Sequence, residues 1–264
     1  MITSLDNPRI KEARKLQRRR HRQQQQALLL EGVRLVRDAL QSGAQIRELY
    51  FVPEALADHP DAQNLLTAAA AAQIDCLACS AAVLATLTET ITPQGLVAVV
   101  TLPHLPLPTP LAFVLILDQV RDPGNAGTLL RNAEAAGVAL AIFGPETVDP
   151  FNDKVLRAGM GAHFRLPLRI CQEWSAIRTL LPPTLPFYLA QANAPLAYDA
   201  VDWTQPAALI VGGEAAGASA AAFAVAQPIA IPMQGQVESL NAAMAGTIIL
   251  FEAARQRRQV TGTA

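Results

Sequence analysis

Residues 111–137 read LAFVLILDQVRDPGNAGTLLRNAEAAG, and this stretch decides the fold. Leu111–Leu117 is an unbroken apolar run, as expected of a strand covered on both faces. A polar, glycine-bearing loop, Asp118–Gly127, follows it. Gly127–Ala136 then has helical composition, with Gly137 behind it as a terminator. Strand, loop and helix in this order form the repeating unit of a parallel α/β sheet, whose ligands bind in the loops at the carboxyl ends of strands.

The alternation continues downstream. Strands are expected at Ala139–Phe143, Phe164–Pro167, Phe187–Gln191, Ala207–Val211 and Ile229–Ile231, and helices at Asp153–Met160 and Glu173–Leu181. A last helix is expected from about Ser239 to Arg257, where Leu240, Met244, Ile248 and Phe251 have the spacing of a buried face. Upstream, LPHLPLPTP (Leu102–Pro110) carries four prolines in nine residues. Proline fixes φ and removes a donor, so the stretch reads as an extended connector. It divides the chain into a first domain (1–102), a Pro-rich linker (103–110) and a second domain (111–264). Within the first, Leu28–Ser42, Asp61–Ala72 and Ala81–Leu87 are expected helices, and Ile46–Val52, Ile74–Ala78 and Leu96–Leu102 strands, giving a small α/β unit.

Composition limits the function. With 51% hydrophobic and 16% charged residues the chain is not a disordered tail. No apolar run approaches the roughly 20 residues of a membrane span. No basic-apolar leader is recognised at the start, so a cytoplasmic location is expected. The net charge of −1 hides an asymmetry: eight Arg and Lys lie between Arg9 and Arg22, opposed only by Glu12. Such a run, passing into Gln23–Gln26, is either the solvated face of a helix or an exposed arm that meets phosphate, where the planar fork of arginine is suited. Cys76 and Cys79 form a lone C-x-x-C and Cys171 stands apart. A zinc site would need four ligands, so reduced structural thiols and no metal are expected.

Three post-strand loops carry the candidate chemistry: Asp118–Gly127, Gly212–Gly217 and Pro232–Asn241. None is a G-x-x-x-x-G-K-[ST] or G-x-G-x-x-G phosphate loop, which argues against a dinucleotide oxidoreductase. The segments DPGNAGTLLRNAEAAG (Asp122–Gly137), VGGEAAG (Val211–Gly217) and IPMQGQVESLNAAMA (Ile231–Ala245) closely resemble the three motifs of the SpoU/TrmH family of RNA methyltransferases, in the SPOUT superfamily. DPFNDKVLRAGMGAHFRLP (Asp149–Pro167) resembles the segment after the first motif. Ser4–Leu40 resembles the family's L30e-like substrate-binding domain.

The resemblance implies an α/β fold with a deep trefoil knot near the C-terminus, behind a small L30e-like α/β domain. It implies a homodimer and S-adenosylmethionine held by the second and third loops, with Gly212, Gly213, Ile231, Met233 and Leu240 as contacts. The implied reaction is 2′-O-ribose methylation of RNA, most readily 23S rRNA. Arg131 matches the family's catalytic arginine, while Asn125, Glu214, Ser239 and Asn241 match its other polar positions. Arginine stays protonated, so a grip on phosphate suits Arg131 better than general base action. Arg14, Arg18, Arg19, Arg20 and Arg22 become candidate RNA contacts. A tRNA or antibiotic-resistance rRNA methyltransferase, and a non-catalytic ribosome assembly factor, are the alternatives.

Overall fold

The first strand of the second domain, β5 below, shows why the sheet forms. In the computed structural model, which describes residues 1–214 and 217–262, all of Phe113–Asp118 is buried. Phe113, Leu115 and Leu117 pack into one core and Val114 and Ile116 into another, because successive side chains leave opposite faces of a strand.

The chain divides into two compact units, Met1–Pro103 and His104–Ala264. The first contains α1 (Pro8–Lys15), α2 (Arg19–Gln25), β1 (Ala27–Glu31), α3 (Val33–Gln41), β2 (Ile46–Phe51), α4 (Pro53–Leu56), α5 (Pro60–Ala71), β3 (Asp75–Ala78), α6 (Ala81–Ala85) and β4 (Leu96–Thr101). Its sheet runs β1-β4-β2-β3, antiparallel except for the β2–β3 pair. Ile10, Ala13 and Leu16 of the basic segment are buried against Tyr50, Val97 and Val99 of this sheet. The arginine-rich stretch is therefore two folded helices and not an arm.

The second unit contains β5 (Phe113–Asp118), α7 (Pro123–Ala135), β6 (Leu140–Phe143), α8 (Asp153–Gly159), β7 (Leu168–Ile170), α9 (Trp174–Leu180), β8 (Phe187–Ala190), β9 (Leu196–Ala197), β10 (Ala207–Gly212), α10 (Ala220–Val225), β11 (Gln227–Ala230) and α11 (Ala242–Thr261). Its seven strands are all parallel, in the order β7-β6-β5-β10-β8-β11-β9. Residues of α7, α8 and α11 fill the core on one face, and those of α9 and α10 the core on the other. The late strands interleave: β10 enters between β5 and β8, and β11 between β8 and β9. The chain then returns, so that α11 packs on α7 and β10. A sheet grown outward strand by strand lacks such interleaving. The Pro-rich segment lies with this unit, where Leu107 and Leu111 pack against the α9 core. No helix is long and apolar enough to cross a membrane among the described residues.

Several expectations are corrected. Leu28–Ser42 is not one helix: Ala27–Glu31 pairs with β4, and Gly32, at φ +97°, turns the chain into α3. Phe164–Pro167 is no strand; Ala162–Phe164 is a 3-10 turn, and pairing resumes only at Leu168. Helix α7 begins at Pro123, because Asp122 caps it by accepting from the Asn125 amide at 2.7 Å and proline suits the first turn. Helix α11 begins at Ala242, and its buried face is Ala243, Ile249, Leu250, Ala253 and Ala254. The expected buried stripe is largely exposed: Leu240, Met244 and Phe251 face solvent. Small residues decide this orientation. A Cβ on Gly246 would stand 2.5 Å from Leu129 Cδ2 and 3.1 Å from Val211 Cγ2, so glycine lets α11 lie against α7 and β10 without displacing those side chains.

One buried polar group stands apart. His163 is almost fully enclosed and donates from Nε2 to the Pro150 carbonyl at 2.8 Å, leaving Nδ1 without a partner. Burial lowers its pKa to about 4.

Candidate functional site

The site is assembled where the carboxyl ends of β5, β10 and β11 come together. From the first loop, Asn125 sits in the opening turn of α7, fixed there by the Asp122 cap. From the second, Glu214 follows β10 at the tip of a turn closed by paired Gly213 and Gly217 backbone hydrogen bonds of 3.0 Å. From the third, Asn241 caps α11, its Oδ1 accepting from the Ala243 and Met244 amides at 3.0 and 3.1 Å. Ala215 and Ala216 of the second loop lie outside the described residues.

These three side chains form one cluster. Asn125 Nδ2 donates to Glu214 Oε1 at 2.8 Å. Asn241 Nδ2 donates to Asn125 Oδ1 at 3.1 Å and also to Glu214 Oε1. Both asparagines are held at their backbones, so together they fix the carboxylate. Glu214 Oε2 has no partner among the described residues.

The cluster forms part of the wall between two cavities. The larger, of about 400 Å³, is lined by all five residues expected to contact a cofactor: Gly212, Gly213, Ile231, Met233 and Leu240. Ser239, Glu214 and Asn241 line it too. The smaller, of about 150 Å³, is lined by Gln119, Val120, Arg121, Asp122 and Asn125, and shares Gly213, Glu214 and Ala242 with the first. Glycine is required at the seam: a Cβ on Gly213 would stand 2.2 Å from the Gln119 carbonyl, and one on Gly212 2.6 Å from the Ala218 nitrogen.

Sequence reading missed Gln191 and Ala192, which line the larger cavity just after β8; it placed Gln119 and Arg121 in the first candidate loop without assigning them a role, and both line the smaller cavity. Position at a strand's carboxyl end was the available signal for the first pair. Arg121 forms an ion pair with Glu146.

Arg131 is not brought to the cluster. It lies exposed on α7, lines neither cavity, and has no hydrogen-bond or ion-pair partner among the described residues. In the first unit Arg14, Arg18, Arg19 and Arg20 are exposed. Arg22 is not: it is 9% exposed and donates to the Leu16 and Gln17 carbonyls at 3.1 and 2.8 Å, closing the end of α1. A guanidinium used in this way is a poor RNA contact. The cysteines are free, and burial raises the Cys79 thiol to about 11, which makes it inert. No group of three or more His, Cys, Asp or Glu could hold a metal ion among the described residues.

Comparison with known proteins bears on this arrangement. Residues 112–251 match the SpoU rRNA Methylase family, and residues 7–98 the MRM3-like substrate binding domain. The 23S rRNA (guanosine(2553)-2′-O)-methyltransferase RlmP of Bacillus subtilis is 34% identical, over 95% of this chain and 97% of its own. The human mitochondrial rRNA methyltransferase 3 is 31% identical, over 90% of this chain and 69% of its own. Among solved structures, the AdoMet-bound rRNA methyltransferase of Sinorhizobium meliloti superposes with a TM-score of 0.81 at 32% identity, covering 96% of this chain and 97% of that one. The AdoMet complex of the SpoU methyltransferase AviRb from Streptomyces viridochromogenes also gives 0.81, at 28% identity, covering 96% of this chain and 100% of that one.

Proposed function

The chain belongs to the SpoU rRNA methylase family, and from that premise we propose that it methylates a ribose 2′-hydroxyl of ribosomal RNA at the Asn125–Glu214–Asn241 cluster, using S-adenosylmethionine held in the larger cavity. The observation that carries this reading is the cluster itself, in which three loops that end three strands meet on one carboxylate between two cavities.

The larger cavity suits the cofactor. Its volume lies in the range of small-molecule sites. Its lining is mostly glycine, alanine and aliphatic side chains, with Glu214 as the one charged residue among those described. Close backbone packing at Gly212 and Gly213 leaves main-chain groups to do the recognition. When bound, S-adenosylmethionine supplies an electrophilic methyl group on a positively charged sulfonium. That charge disappears on transfer, so an apolar wall is tolerated, and no Lewis acid is needed for displacement at this carbon.

The protein's tasks are to align the hydroxyl and accept its proton. Glu214 Oε1 is occupied by the two asparagine amides, which leaves Oε2 facing the reaction as proton acceptor. Asn125 and Asn241 hold that carboxylate in place. Ser239, exposed at the cavity rim, orients the incoming ribose. Arg131, without a partner among the described residues, grips a phosphate of the bound RNA, where a fixed positive charge is more useful than a base. The first unit supplies the RNA-binding surface through Arg14, Arg18, Arg19 and Arg20. Met244 and Phe251, exposed on α11, form the apolar contact of a homodimer. A cytoplasmic site of action suits this substrate.

Calorimetric titration with S-adenosylmethionine, followed by a transfer assay on ribosomal RNA, tests the reading. Saturable binding and RNA-dependent turnover are expected. Binding without turnover on any RNA would favour an assembly factor.

A further inference from the structure

We propose that Asp118 is a positioning residue that sets the cofactor-side wall of the larger cavity by fixing both ends of the Gly212–Ser219 loop. This deepens the function proposed above and rests on it.

Asp118 ends β5 and is wholly buried, although it is a carboxylate outside the reacting cluster. Burying a charged group is costly unless its oxygens are satisfied, so its partners reveal its task. Its backbone stands opposite Gly212 in the β5–β10 register, where the second loop leaves the sheet. Its side chain reaches the other end of that loop: Oδ2 accepts from the Ser219 amide at 2.6 Å. Oδ1 accepts from Trp174 Nε1 at 3.0 Å, and the same indole N–H reaches Ser219 Oγ at 3.0 Å. Departure and return of the loop are thus referenced to one residue, and Trp174, at the start of α9, locks the return from the far face of the sheet.

The segment so clamped is the one that shapes the cavity. Gly217 and Ala218, directly before Ser219, line it together with Gly212. They lie so close to Gly212 that its missing Cβ would strike Gly217 C at 2.7 Å and Ala218 N at 2.6 Å. A shift of Ser219 by a fraction of an ångström therefore passes straight into the wall. The Asn125–Glu214–Asn241 cluster, by contrast, is held by its own bonds. Loosening the anchor should weaken cofactor binding and leave turnover at saturating cofactor largely intact.

The test is calorimetric titration of S-adenosylmethionine into the full-length protein, into Asp118→Asn and into Trp174→Phe, with thermal melts of each and steady-state methylation of ribosomal RNA. Asn replaces one acceptor oxygen by a donor that cannot pair with an N–H; Phe removes only the indole donor. Asp118→Asn should weaken binding about tenfold or more, as for loss of a hydrogen bond to a charged group. Trp174→Phe should weaken it less. In both, the KM for cofactor should rise while kcat stays near wild type. Cofactor should also change the emission of Trp174, a response that Trp174→Phe abolishes while Trp203, enclosed between Phe113 and Tyr188, remains. Wild-type affinity in Trp174→Phe and in a folded Asp118→Asn, even with lowered melting temperatures, would reduce the anchor to a structural role and overturn the proposal. Should Asp118→Asn not fold, Trp174→Phe alone decides. Failure of the wild-type protein itself to bind cofactor would instead overturn the cavity assignment, and this inference with it.

Discussion

The side-chain amide of Asn125 lies 2.8 Å from the carboxylate of Glu214, a residue 89 positions further along the chain. The contact joins the first loop to the second, and Asn241, capping α11, closes the third onto both. The alignment of the proposed catalytic cluster is thus built into main-chain features, two helix caps and a glycine-closed turn.

Asn241 does two jobs that substitution can separate. Asn241→Ala should lose the α11 cap, costing about 1 kcal/mol of stability, together with activity. Asn241→Asp keeps the acceptor for the Ala243 and Met244 amides but donates nothing and faces Glu214 with like charge. It should melt near the wild-type temperature and yet be inactive. A methylation assay beside a thermal melt reads both, and an active Asn241→Asp would show the cluster to be dispensable.

Arg131 is exposed and has no partner among the described residues, so Arg131→Ala should alter stability by less than about 0.5 kcal/mol and leave the affinity for S-adenosylmethionine unchanged. Methyl transfer should nonetheless be lost. Wild-type turnover in this variant would remove Arg131 from the mechanism.

Replacing Arg18, Arg19 and Arg20 together by alanine should weaken RNA binding and reduce the dependence of log affinity on log salt by up to about 3. Filter binding at two salt concentrations measures it. Arg22→Ala should act differently, through stability, because its guanidinium closes α1.

The exposed Met244 and Phe251 predict a second interface. Met244→Lys with Phe251→Lys should shift the protein to monomer in sedimentation while the wild type sediments as a dimer. A monomeric wild type would refute the assignment.

His163 predicts a pH response. Unfolded, it titrates near 6.5; folded, burial holds it neutral down to about 4. The native state therefore binds fewer protons between these values. Its contribution is complete above about 6.5, is lost as pH falls toward 4, and is flat below; it amounts to on the order of 3 kcal/mol. Melting temperatures of the wild type and His163→Gln across this window should show the steeper acid decline in the wild type.

Much of this was legible in the residues, and the failures have physical causes. The strand at Leu111–Leu117 and the order of the three loops were readable because apolar runs and glycine are local signals. Leu28–Leu30 misled because three leucines fit either period, and only the φ of Gly32 separates strand from helix. The α11 stripe misled because Ala243, Gly246 and Ala253 contribute little hydrophobicity while permitting the closest packing. Arg22 looked like its neighbours, since charge does not reveal burial. The cluster's residue types could be named from their motifs, but their meeting on one carboxylate is a tertiary fact.

One measurement tests the central claim most directly: a map of ribose methylation across ribosomal and transfer RNA from cells with and without this protein. The account predicts that a 2′-O-methyl group disappears from ribosomal RNA in its absence, and returns with the wild-type protein but not with Arg131→Ala. Identical ribosomal RNA maps in the two strains would contradict it.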